Sequence, residues 1–66
     1  MKFNIDKKNI KSFEYDSVTG TLEILFQSGR KYRYYEVSVN WLTKLIGSEA
    51  DKVPNELSKI YKYEEI

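Results

Sequence analysis

The sequence predicts an α+β domain, a three-stranded antiparallel β-meander followed by two short helices packed on one of its faces. Two observations carry this reading. Between Ile10 and Tyr34 apolar residues recur with a period of two, broken by turn-forming residues at Asp16–Gly20 and Gln27–Gly29. Beyond Glu36 the period lengthens to about 3.6, the spacing of a helical face. A chain of 66 residues holds one domain of this kind, and folding buries only about 60% of the unfolded chain's surface at this size.

Residues 1–9 are polar and Lys-rich, and they read as a loose arm or a short edge strand ahead of a single domain over residues 10–66. Ile10 to Tyr15 is the first clear strand, with Phe13 and Tyr15 on one face. Asp16-Ser17-Val18-Thr19-Gly20 then turns the chain, because Asp and Ser bond nearby backbone amides and Gly tolerates positive φ. Thr21 to Phe26 alternates strictly, with Leu22, Ile24 and Phe26 on one face and Thr21, Glu23 and Leu25 on the other.

The segment Gln27-Ser28-Gly29 sets the register of the second hairpin. A three-residue loop ending on a left-handed residue wants Gly last, as here. It pairs Phe26 with Arg30, Ile24 with Tyr32 and Leu22 with Tyr34. A two-residue Ser28-Gly29 loop would flip the tyrosines to the other face. The first register is preferred, since it joins Tyr32 and Tyr34 to an apolar face and sets Glu23 opposite Arg33, a favourable cross-strand pair.

In the helical part, Val39, Leu42, Leu45 and Ile46 share a face, with Ser38 as N-cap and Gly47 as stop. Ser48–Lys52 reads as a polar connector. Pro54 suits the first turn of a second helix with a Leu57, Ile60, Tyr61 stripe. The tail after Tyr61 is expected to fray.

Composition narrows the chemistry. The chain has no Cys and no His, which removes thiol nucleophiles, imidazole catalysis and zinc fingers. The acids are scattered without the spacing of a calcium loop, and no carboxylate pair is placed for acid/base work. Neither an enzyme nor a cofactor or metal site is therefore expected. Lys and Arg number 11 against 10 acids, a net charge of +1, so any anion binding must come from clustering. No apolar run suits a signal peptide or a membrane span, which leads to the expectation of a cytoplasmic protein.

The densest basic segment is Arg30, Lys31 and Arg33, with Tyr35 beside it. On the outer face Lys31 and Arg33 alternate with Tyr35, mixing charge with a stackable ring as a nucleic-acid surface does. Tyr32 and Tyr34 fit either the core or a base-stacking platform, the core being favoured. Trp41, off the main helical stripe, serves either as an anchor for a partner, of which a second copy is the simplest, or as a lid on the sheet edge.

Tyr15-Asp16, Thr21-Leu22 leading through Ile24 and Phe26 to Gly29, then Tyr32-x-Tyr34, Val37 and a terminal Tyr61 together resemble the KTSC domain. This is a short bacterial and phage module named for its occurrence at the C-terminus of some lysyl-tRNA synthetases. The resemblance runs from about Ile10 to Tyr61. Ser38 stands where the family has Pro, and both residues open a helix. It implies that Tyr15, Gly29, Tyr32 and Tyr34 are architectural, and its synthetase context implies RNA. The expected function is thus a non-enzymatic binding module for RNA or another nucleic acid. The alternatives are a protein-interaction or inhibitor module and a small-nucleotide-sequestering homo-oligomer.

Overall fold

The computed structural model describes residues 2–66 and contains the expected meander: β2 (Ile10–Asp16), β3 (Thr21–Phe26) and β4 (Lys31–Tyr34). Two further strands widen it beyond the three the sequence predicts. β1 (Lys2–Asn4) lies against β2, and β5 (Tyr63–Glu65) lies against β4, giving a five-stranded antiparallel sheet in the order β1-β2-β3-β4-β5. Within the N-terminal segment, Lys2–Asn4 is an edge strand, where Phe3 stacks on Phe13 with ring centroids 5.0 Å apart. The tail after Tyr61 is paired rather than frayed. The amides of Tyr35 and Ile66 donate to the carbonyls of Lys62 and Lys31 and extend the β4–β5 ladder at both ends.

The second hairpin has the three-residue loop. Leu22 faces Tyr34, Glu23 faces Arg33 and Ile24 faces Tyr32, while the Phe26 amide donates to the Arg30 carbonyl at 2.8 Å. Gly29 takes φ +94° there. In the first hairpin the Asp16 carboxylate accepts the Val18 amide at 2.9 Å, and the Gly20 amide closes on the Asp16 carbonyl at 2.7 Å. β2 carries an irregularity between Ile10 and Ser12. Ile10 thereby shares the inner face with Phe13 and Tyr15 despite their spacing, since one extra residue shifts the alternation.

Two helices cover the inner face, joined by a single 3-10 turn, Ala50–Lys52. α1 (Trp41–Leu45) is shorter than the apolar stripe predicts. Val39 sits in the turn before it and Ile46 at its end. Both are more than half exposed, because a helix of so few residues can press only one turn, Leu45 with Leu42, onto the sheet. Ser38 does not cap this helix: its hydroxyl accepts the Asn40 amide at 3.4 Å within the preceding turn. In α2 (Val53–Ile60) the inward pair is Val53 and Leu57, an i, i+4 spacing. Ile60 rotates out to 62% exposure. Tyr61 leaves the helix with extended backbone and packs against the core from there.

The core joins Ile10, Phe13, Tyr15, Leu22, Ile24 and Tyr34 of the sheet to Val37, Leu45, Val53 and Leu57. Ala50 of the supposedly polar connector is also buried. Among the described residues, no helix is long and apolar enough to cross a membrane.

Candidate functional site

Strand alternation splits the predicted basic cluster in two. Lys31, Arg33 and Tyr35 project from the outer face, as expected. Arg30, which pairs with Phe26 across the hairpin, falls on the inner face with the helices.

On the outer face one lateral row crosses every strand: Lys2, Glu14, Glu23, Arg33 and Glu64 stand opposite one another in turn. Its carboxylates outnumber its cations. Glu23 is the hub, with Lys31 Nζ at 3.3 Å and Arg33 Nη2 at 3.0 Å, and Arg33 Nε also donates to it at 3.0 Å. Partial burial pushes the Glu23 carboxyl up, but the hydrogen bonds and charges of Arg33 and Lys31 outweigh this and hold its pKa below the usual value. The Tyr35 phenol oxygen, first, and Glu23, second, hold the Arg33 guanidinium above its ordinary pKa. Tyr35 itself donates its hydroxyl to Glu64. A cleft of about 670 Å³ beside these groups adds Glu14 and Asp16 to its walls. Each of the outer-face residues chosen from the sequence is thus already engaged by a carboxylate.

The inner face offers a different surface. An open groove of about 730 Å³ runs between the β3–β4 hairpin and α2, with Phe26, Tyr32 and Pro54 among its apolar lining and Arg30, Lys52 and Lys59 among its cations. Phe26 meets Tyr32 edge-on at 5.6 Å, and both rings are only partly buried. Asp51 and Glu56 also line the groove, although Asp51 is occupied by the Asn9 amide at 3.0 Å. Lys52 lies 3.9 Å from Glu49, with both side chains about three-quarters exposed, an arrangement worth little. Among the described residues, neither Arg30 nor Lys59 is ion-paired.

The sequence reading passed over Phe26, Lys52 and Lys59 as ligand contacts. The signals were present: Phe26 is the cross-strand neighbour of Arg30, and Lys52, Glu56 and Lys59 recur at i, i+4, i+7 on one flank of α2.

The remaining singled-out residues are largely structural in setting. The Tyr15 hydroxyl donates to the Val37 carbonyl at 2.7 Å and ties β2 to the chain leaving β4. Tyr34 is buried, and burial, with neighbouring Tyr63 and Tyr32, pushes its phenol up to about 12. Trp41 is half-buried. Its indole N–H donates to the Tyr61 hydroxyl at 3.1 Å, and the Lys44 ammonium sits 4.5 Å from its ring centroid. These contacts suit a lid that locks α1 to the segment after α2.

The KTSC domain family matches residues 6–52, and the chain belongs to that family. The match takes in the meander, α1 and the 3-10 turn, and leaves β1, α2 and β5 outside it. No curated protein matches the chain.

Proposed function

We propose that this KTSC domain is a small non-enzymatic binding module whose ligand is a nucleic-acid strand, most simply RNA, seated in the groove between the β3–β4 hairpin and α2. One observation carries the reading: the partly buried rings of Phe26 and Tyr32 share a groove with Arg30 and Lys59, cations that make no ion pair among the described residues. Rings supply stacking for any base, and cations supply phosphate contacts that release counterions. The outer face is the poorer candidate, because phosphate there must compete with Glu23 for Lys31 and Arg33, and it also meets Glu14 and Glu64.

Fluorescence anisotropy of a labelled short RNA, repeated across salt concentrations, tests this. Contacts from Arg30, Lys52 and Lys59 give a slope of log Kobs against log salt of about −2, at roughly −0.7 per contact for a single strand. Absence of binding in low salt at high micromolar protein sinks the proposal. A mononucleotide that binds as tightly as a longer strand would instead favour sequestration of small nucleotides.

A further inference from the structure

Tyr63 lies where the core does not need it. It is 44% exposed on the inner face of an edge strand, outside the cluster that joins sheet to helices. Its ring is nonetheless fixed, stacked on Tyr34 at 5.5 Å and 30° and tilted against Tyr32 at 6.0 Å. The partly buried rings of Phe26 and Tyr32 therefore continue onto Tyr63, beyond the wall of the groove. Glu65, two residues on and exposed, shares the inner face with Tyr63 and stands directly opposite Tyr32.

A carboxylate beside exposed rings repels a phosphate but accepts hydrogen bonds. That end of the surface suits a base, and the Arg30 end suits the backbone. We infer that Tyr32, Tyr63 and Glu65 form a base-reading end of the groove, where an unpaired base carrying an exocyclic amino group stacks on the tyrosines and donates that amino hydrogen to Glu65. This rests on the nucleic-acid reading above and sharpens it. The ligand is single-stranded, since pairing occupies the amino edge, and cytosine is preferred to uracil, which presents a carbonyl at the same position.

The test compares binding of five-nucleotide cytidine and uridine oligoribonucleotides to the full chain, with circular dichroism checking that each variant keeps its fold. The wild type is expected to bind the cytidine strand at least about ten-fold more tightly, the scale of one hydrogen bond to a charged group. Glu65→Ala should bring that ratio to about one. Tyr63→Ala should weaken both strands by about five-fold or more, the scale of one lost stacking contact, and Tyr63→Phe should restore them. Equal binding of the two strands by the wild type overturns the role of Glu65. If Tyr63→Ala binds like the wild type while Arg30→Ala binds poorly, the base-reading end is overturned and the groove proposal stands. If neither strand binds the wild type, the groove proposal itself fails and takes this inference with it.

Discussion

Gly20 and Gly29 both adopt positive φ, +74° and +94°, but their surroundings differ. A Cβ on Gly29 would meet nothing within 4 Å, so its requirement is one of backbone conformation alone. A Cβ on Gly20 would lie 3.3 Å from the Glu36 Cα and 3.4 Å from the Val37 amide nitrogen, where the Gly20 carbonyl accepts that amide at 2.8 Å. Gly29→Ala is therefore expected to cost roughly 1–2 kcal/mol of stability and Gly20→Ala distinctly more, as read by urea denaturation. Tyr34 gives a pH-dependent signature at the same scale. Its phenol titrates near the ordinary value of 10 when unfolded and at about 12 when folded. The stability linked to it is complete below pH 10 and is lost as pH rises towards 12. Denaturant melts across that range should show the loss, and Tyr34→Phe should reduce it.

α2 is held by its buried face rather than by caps, for Lys52 at its N-cap makes no side-chain capping bond. Leu57, fully buried, should cost about 2–5 kcal/mol on truncation to Ala, a large share of the stability of so small a domain. Ile60→Ala, at an exposed position, should change stability by no more than about 0.5 kcal/mol. The contrast measures how far the helical stripe can be read from spacing. The hairpin was legible because local chemistry dictates it: Gly29 must be left-handed, and Glu23 opposite Arg33 agrees with the tyrosines turning inward. The helix faces were only half legible. Leu57 and Leu45 read correctly, but Val39, Ile46 and Ile60 depend on where α1 and α2 stop and how they tilt. β5 was not legible at all, since Tyr-Glu-Glu has weak strand propensity and its partner β4 lies across both helices in sequence. The basic cluster Arg30, Lys31 and Arg33 is one segment in sequence but not one surface: the register that pairs Phe26 with Arg30 sets Arg30 on the face opposite Lys31 and Arg33.

Across the whole molecule, a net charge of +1 conceals an uneven distribution. The outer face is a ladder of alternating and neighbouring acids bridged by Arg33 and Lys31, and the inner groove carries Arg30 and Lys59, which make no ion pair among the described residues. The ladder should be visible in acid. Glu23 has a lowered pKa relative to its ordinary 4.5, so its contribution to stability is present above about that pH and is lost as pH falls through the lowered folded value. Glu23→Gln should flatten this acid limb in thermal melts.

The division of labour between the faces is tested most directly by comparing two double variants for binding of a short single-stranded RNA at low salt. Arg30→Ala with Lys59→Ala is expected to weaken binding about ten-fold or more and to lower the salt slope by about 1.4, at roughly 0.7 per lost contact. Lys31→Ala with Arg33→Ala should leave both quantities nearly unchanged. Loss of binding in the outer-face pair, with the groove pair intact, would contradict this division of labour.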